Sequence, residues 1–156
     1  MNQKPTYSSK SFGSQALDEM VSKLQSTMDP KRKYEYVLWL AKKLPRLDPS
    51  LFSKSVQVKG CVSQVHIHVE QINEKLVWHG DSDALITRGL LALLINGLSG
   101  LTVEEVLAID PSFIEETGLN VSLTPSRANG FMNIFLTMKT LANQMQRPQV
   151  QSTSSS

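Results

Sequence analysis

Apolar residues recur every three to four positions in the N-terminal part of the chain, which is the spacing of one face of a helix. A first such stretch runs from Ala16 to Met28. A second begins after Asp29-Pro30, a pair typical of a helix start, and ends before Pro45. The charged run at 31–33 is predicted to lie on the solvated face of this second helix. Its predicted buried face consists of Tyr34, Val37, Leu38 and Ala41.

The apolar period changes to two in the middle of the chain, which is typical of strands. Valine and isoleucine alternate with polar residues over 56–58 and again over 65–69, and a third extended stretch covers 75–78. Together the three stretches predict an antiparallel meander with Gly60-Cys61 in its first turn.

Helical patterns return after the strands. The next helix is predicted to begin at an N-cap formed by Ser82 or Asp83 and to end at Leu98. Because it is apolar on nearly all sides, we expect it to be buried at the centre of the fold and to lie on the sheet. Thr124-Pro125 opens a last helix. The order of helices, three strands and further helices predicts an α+β fold with two layers, a three-stranded antiparallel sheet packed against helices. The predicted inner face of the last helix consists of Phe131, Ile134, Phe135, Met138 and Met145.

The composition narrows the class of protein. A chain of 156 residues is long enough for one domain with a real core. A net charge of +2 creates no field that would argue for nucleic acid or a membrane surface. The longest apolar run, 90–95, is far shorter than a membrane span. We therefore expect a soluble intracellular domain that binds neither nucleic acid nor membrane.

Both ends of the chain are polar and aperiodic, so little apolar burial would offset the entropy lost on ordering them. We predict disordered tails at 1–14 and 147–156 and a single folded domain at 15–146. The N-terminal tail is too short to argue for an organelle leader, so a cytoplasmic location is favoured over a plastid stroma.

Cys61 is the only cysteine of the chain, which excludes an internal disulfide and a multi-cysteine metal site. A free cysteine is most often a small buried hydrophobic residue. Cys61, however, follows Gly60 in a predicted turn, where a side chain gains little from packing and commonly faces a partner. The neighbouring Lys59 would favour the thiolate. Cys61 is therefore a candidate nucleophile.

A cysteine hydrolase would also need a histidine as base. His79 is the candidate, although the HGDSD segment around it also suits a turn and helix cap. His66 and His68 share one face of a predicted strand and are interpreted as exposed strand residues, so no metal site is predicted.

Arg127 falls at the third position of the last predicted helix, beside the positive end of the helix dipole. A cation there is slightly unfavourable, by about 0.3–1 kcal/mol. Either it makes a local pair, or it serves an anion such as a thiolate or an acidic partner surface.

Several segments resemble the SufE family of sulfur acceptors, in order along most of the chain. They are YVLWLAKKLPRL at 36–47, VQVKGCVSQVHI at 56–67, HGDSDALITRGLLALL at 79–94, LTVEEVLAID at 101–110 and LTPSRANG at 123–130. The turn around Cys61, the GDSDA segment and the TPSR segment are specific in combination. One departure is His66, where many members carry tryptophan.

The resemblance implies a fold shared with iron–sulfur scaffold proteins of the NifU type. It implies that Cys61 accepts sulfane sulfur from a pyridoxal-phosphate cysteine desulfurase and carries it as a persulfide toward iron–sulfur scaffold proteins. It also implies that Gly60, Asp83 and Arg127 contact the desulfurase and that the protein has no cofactor of its own. The resemblance is compatible with a homodimer.

Thiol exchange needs no histidine base, so a chain with one cysteine is sufficient for it. A persulfide must nevertheless be sheltered from cellular thiols, while burial makes a thiol inert. We expect the loop at Gly60-Cys61 to alternate between a sheltered and an extended position. Two other hypotheses stay open, a hydrolase using Cys61 and His79 and an interaction module in which Cys61 only packs. The predicted shelter consists of Val58, Val62 and the helix at 90–95.

Overall fold

The computed structural model describes residues 11–154, and the side chains of residues 11–146. The helices are α1 (Gln15–Ser26), α2 (Pro30–Lys43), α3 (Pro49–Phe52), α4 (Leu85–Leu98), α5 (Val103–Leu107), α6 (Phe113–Glu116) and α7 (Pro125–Ser154), with a short 3-10 turn at Leu119–Val121. The strands are β1 (Val56–Gln57), β2 (Val65–Ile72) and β3 (Lys75–Ser82). None of the described helices is both long enough and apolar enough to cross a bilayer.

The three strands form one antiparallel sheet in the order β1-β2-β3, which confirms the predicted meander and the α+β class. Val65 pairs with Ser82 and Ile72 with Lys75, across a two-residue turn at Asn73-Glu74. Both turn residues have positive φ, as the twist of a tight hairpin requires. One face of β2 is buried, while His66 and His68 point to the other face.

Helix α4 is the centre of the molecule, as the sequence predicts. Nearly all of its side chains are buried, and it packs against β3, α1, α2 and α7. Gly89 allows the closest of these approaches, because a Cβ atom there would overlap the carbonyl oxygen of Val37 on α2. The core therefore lies between the sheet and the surrounding helices, with α4 in the middle.

The buried face of α2 differs from the prediction. Val37 and Ala41 are buried as expected, but Lys33 and Leu40 are buried in place of Tyr34 and Leu38. The Lys33 ammonium donates to the carbonyl oxygen of Leu24 at the end of α1. A lysine stem is apolar and its head group satisfies a free helix carbonyl, so the charged run at 31–33 is not wholly solvated.

The folded part begins earlier than predicted. Phe12 is buried against the ring of Phe113, with ring centroids 6.2 Å apart. Ser14 accepts a hydrogen bond from the Leu17 amide as the N-cap of α1, and its hydroxyl donates to the Gly97 carbonyl oxygen at 2.6 Å. Residues 11–14 are thus anchored by an aromatic contact and a cap.

Helix α7 continues to Ser154, so residues 147–154 are helical where the sequence predicts a disordered tail. Extending an existing helix fixes one residue for each added hydrogen bond, which favours its continuation over a new start. The predictions for residues 1–10 and 155–156 fall outside the described residues.

Candidate functional site

Cys61 lies in the loop of residues 59–64, hereafter the Cys61 loop, which joins β1 to β2. The Val58 amide donates to the Val65 carbonyl oxygen at 2.8 Å, which closes the base of the loop. Gly60 has a φ of +82°, in the left-handed region that glycine adopts without strain. The loop thereby turns sharply just before the cysteine.

The Cys61 thiol is half-buried against α7. Its Sγ lies 3.8 Å from the carbonyl oxygen of Gly130, to which the thiol can donate a weak hydrogen bond. Burial raises the pKa of the Cys61 thiol above its usual value. The prediction that Lys59 promotes the thiolate is therefore outweighed in this position of the loop, because Lys59 is exposed while the sulfur is partly removed from water.

The shelter of the sulfur differs from the prediction. Val58 is buried, but Val62 is 72% exposed and points away from the core. The hydrogen-bond acceptor for the thiol is the carbonyl oxygen of Gly130 on α7, a residue that the sequence interpretation did not single out. A glycine inside an amphipathic helical pattern commonly marks a place where another part of the chain comes close to the helix. Gly130 was therefore the signal in the sequence that could have predicted this contact.

A second contact with α7 comes from Asn133, which the sequence interpretation also missed. Its side-chain amide donates to the carbonyl oxygen of Gly60 at 2.8 Å. Asn133 follows Gly130 by three residues, so both lie on the same face of α7. The helix therefore contacts the Cys61 loop at two successive residues of that loop.

Asp83 fixes the other end of the Cys61 loop. Its carboxylate accepts a hydrogen bond from the Gln64 amide at 3.0 Å, and its own amide donates to the Gln64 carbonyl oxygen at 3.3 Å. The predicted helix cap at Ser82 or Asp83 is wrong, because the N-cap of α4 is Ala84 and makes no side-chain cap. The Asp83 side chain is exposed and is used by the loop instead.

Arg127 lies one helical turn before Gly130, near the start of α7. Its amide donates to the Thr124 hydroxyl at 3.3 Å, which confirms Thr124 as the helix cap. Arg127 as a residue is half-buried, and it pairs with no acidic side chain in the part of the chain that the structure describes. Asp83, which holds the end of the Cys61 loop, and Arg127, on the helix that the loop contacts, thus carry opposite charges.

The histidines lie along the sheet rather than at the sulfur. His79 pairs with His68 across β2 and β3, with ring centroids 6.1 Å apart, and its Nε2 lies 2.9 Å from a carboxylate oxygen of Glu70. His66 contacts the ring of Phe52 at a centroid distance of 4.5 Å. The hydrolase hypothesis thus lacks the contact between His79 and Cys61 that it needs. Among the described residues, no three histidine, cysteine or acidic side chains form a group able to hold a metal ion.

An open groove of about 400 Å³ lies beside the Cys61 loop. Gln64 and Asp83 form part of its wall, together with the exposed ring of Phe52. Asp81 lines it as well and is held by Arg88, at 2.7 Å between Nε and Oδ1. Burial alone would raise the pKa of Asp81, but hydrogen bonds from Arg88 and from the Leu47 and Ser82 amides lower it below its usual range. The Asp81 carboxylate on this side of the loop is therefore held by several donors and paired with the cations of Arg46 and Arg88.

Comparison with known proteins relates this site to a family. A profile of the SufE family, described as an Fe-S metabolism associated domain, matches residues 18–142. An uncharacterised SufE-like protein of Synechocystis is 50% identical over 127 residues, which cover 81% of this chain and 79% of that protein. The sulfur acceptor protein CsdE of Escherichia coli is 32% identical over 132 residues, which cover 81% of this chain and 88% of CsdE. Some further relatives are longer, and the chain spans 33% to 46% of their length.

A solved structure has the same fold. The solution structure of a hypothetical protein from Thermus thermophilus superimposes with a TM-score of 0.74 at 22% identity, covering 84% of this chain and 96% of that one. The resemblance that the motifs around Cys61, Asp83 and Arg127 predict is confirmed by the family match over most of the folded chain. The chain belongs to the SufE family.

Proposed function

We propose that Cys61 accepts sulfane sulfur from a pyridoxal-phosphate cysteine desulfurase, carries it as a persulfide and delivers it to iron–sulfur cluster assembly. The observation that carries the proposal is the position of the chain's one cysteine, half-buried at a loop that rests on α7 through few contacts. Membership of the SufE family supports it, as does the similarity to a protein named as a sulfur acceptor.

The transfer step is a thiol exchange. The Cys61 thiolate attacks the outer sulfur of a persulfide on the desulfurase and forms a new S–S bond. The bond from that sulfur to the desulfurase cysteine breaks, and its electron pair leaves on the desulfurase thiolate. One thiolate is consumed and another is released, so the step needs neither an external oxidant nor a histidine base.

The position of the Cys61 loop reconciles shelter with reactivity. Resting on α7, the thiol has a raised pKa and is held mainly as the unreactive protonated form. Moving the loop into water removes the cause of that shift, so the thiol regains its ordinary pKa and a larger thiolate fraction. The loop therefore extends toward the desulfurase when the two proteins dock and returns to α7 with its cargo.

The docking surface follows from the charges around the loop. Asp83 holds one end of the loop, Arg127 lies one helical turn before Gly130 on α7, and the two carry opposite charges, so they can orient a partner with a complementary pattern. Asp83 also holds the Gln64 amide, so its replacement affects the loop as well as the partner.

The test is the intact mass of the protein after incubation with cysteine and a cysteine desulfurase. We expect the wild-type protein to gain one sulfur atom, which a reducing agent removes. Cys61→Ser is the matched control, since it keeps the size and loses the thiol, and it should gain none. Equal sulfur gain by both proteins, or none by the wild type with an active desulfurase, would overturn the proposal.

A further inference from the structure

Among the side chains that the structure describes, two hydrogen bonds of unequal strength attach the Cys61 loop to α7. The contact of the Cys61 sulfur with the Gly130 carbonyl oxygen is long, at 3.8 Å, and a thiol is a weak donor. The bond from the Asn133 amide to the Gly60 carbonyl oxygen is 2.8 Å, within the normal range. Asn133 thus makes the stronger of the two polar contacts that hold the cysteine against the helix.

Gly60 and Asn133 also fit each other in shape. A Cβ atom at Gly60 would lie 2.5 Å from Nδ2 of Asn133 and 3.3 Å from its Cγ. The asparagine side chain therefore occupies the space that any other residue at position 60 would need. The left-handed φ of +82° aims the Gly60 carbonyl and the bare Cα together at α7.

We propose that Asn133 is a positioning residue that latches the Cys61 loop onto α7 and sets how often the sulfur is exposed. A single neutral hydrogen bond suits this role, because its net contribution changes an equilibrium by about two- to tenfold. That is enough to favour the sheltered position and weak enough for a docking partner to break. The biological meaning of the latch rests on the proposed function, but the latch itself is a property of this chain alone.

The test is the alkylation rate of Cys61 in the isolated, folded protein. When the loop closes faster than the reagent reacts, the observed rate is proportional to the exposed fraction of the thiol. We expect Asn133→Ala to raise the rate with iodoacetamide about two- to tenfold at neutral pH. Asn129→Ala is the matched control, an exposed asparagine one turn earlier on the same helix, and should leave the rate unchanged.

Two further measurements separate a latch from a general loss of structure. Asn133→Asp keeps the size but, when ionised, has no donor, so it should raise the rate as Asn133→Ala does. In Asn133→Ala the pH midpoint of alkylation should also move downward, because a thiol that leaves α7 more often is less affected by burial. In Asn133→Asp the new carboxylate opposes this shift, because a nearby negative charge disfavours the thiolate. A variant that merely destabilises the helix would not move this midpoint while the fold is intact.

A double substitution tests the shape of the contact. Gly60→Ala alone should raise the alkylation rate, since the new methyl group collides with Asn133 and the backbone has positive φ. In the Asn133→Ala background the collision is gone, so the same Gly60→Ala change should have a smaller effect. Equal effects in the two backgrounds would contradict the fit between the two residues.

The latch is overturned if both Asn133 variants keep the wild-type rate and pH midpoint, or if Asn129→Ala raises the rate equally. Its failure is distinct from that of the proposed function. Faster alkylation without any sulfur gain from a desulfurase leaves the latch and removes the sulfur carrier. Sulfur gain from a desulfurase with an unchanged alkylation rate in the Asn133 variants supports the sulfur carrier and contradicts the latch.

Discussion

The reactivity of Cys61 is governed by where the residue sits rather than by a neighbouring base. Against α7 the thiol loses hydration, and its pKa rises. No histidine compensates, since His79 faces His68 and Glu70. Burial against α7 therefore lowers the thiolate fraction of Cys61, and exposure of the thiol would raise it.

This raised pKa has a measurable consequence. We expect the alkylation rate of Cys61 to rise with pH along a curve whose midpoint lies higher in the folded protein than in the urea-unfolded chain. The folded state holds the proton more tightly, so its contribution to stability is present below the unfolded pKa and is lost as the pH rises through the folded pKa. The free energy of unfolding of the wild type should therefore fall relative to Cys61→Ser at alkaline pH. Coincident alkylation midpoints in the two states would contradict the expectation.

Individual site residues were predictable to different degrees. Cys61 and Gly60 stand out in the sequence because one is the only thiol and the other permits an unusual turn. The exposure of Val62 could not be predicted in this way. The residue follows the sharp turn at Gly60, after which the alternation of a strand no longer tells which side chains face the core. Asn133 was invisible for another reason, since its partner is a backbone carbonyl 73 residues away in the chain.

Among the elements, α2 and α4 meet most closely at Gly89. The missing side chain lets the Val37 backbone approach, and nothing flexible separates the two helices there. Gly97 on the same helix faces Leu17 of α1, where a Cβ atom would lie 2.9 Å from a side-chain methyl group. The two glycines therefore differ in whether the neighbour can move.

We expect Gly89→Ala to lower the free energy of unfolding by about 3 kcal/mol, because the new methyl group meets rigid backbone and the helices must separate. Gly97→Ala should change it by less than about 1 kcal/mol, since Leu17 can adjust and alanine favours the helix. Urea unfolding of the two variants measures the difference. Equal losses would show that the α2–α4 approach is not the tight point of the core.

The ends of helices were predicted correctly where the capping side chain bonds to an amide close to it in the chain. The prediction was wrong where that side chain bonds to another element instead. Asp29 caps α2 through the Lys31 amide, as its sequence predicts. Asp83 does not cap α4, because its carboxylate accepts from the amide of Gln64 at the end of the Cys61 loop. Lys33 was interpreted as solvated because its acceptor, the Leu24 carbonyl, belongs to a different helix. Such partners are set by the packing of whole elements.

At the scale of the molecule, Arg88 ties three elements together. From α4 it donates to Asp81 on β3, at 2.7 Å, and to the carbonyl oxygens of Ala41 and Leu44 at the end of α2, at 2.6 Å each. Asp81 in turn accepts from the Leu47 amide at 3.2 Å. This buried guanidinium satisfies the last turn of one helix and fixes the sheet edge next to the Cys61 loop.

Arg88→Met should lower the free energy of unfolding by about 3–5 kcal/mol, since it removes the buried cation that pairs with Asp81 and leaves two buried carbonyls without that donor. Arg46→Met is the matched control. Arg46 also pairs with Asp81, at 3.5 Å, but its side chain is 77% exposed, so we expect a change within about 1 kcal/mol. Urea midpoints of both variants check the ranking, and a loss for Arg46→Met as large as for Arg88→Met would contradict it.

Gly130 meets the sulfur with main chain alone, through a carbonyl oxygen and an empty Cβ position whose atom would lie 3.5 Å from Sγ. Every amino acid carries that carbonyl, so the resting place of the thiol does not depend on any particular side chain at position 130. Alanine would still make ordinary contact, and only a bulkier residue would push the sulfur away. The surface on which the sulfur rests is therefore set by the path of the helix backbone, and it tolerates alanine as well as glycine at this position.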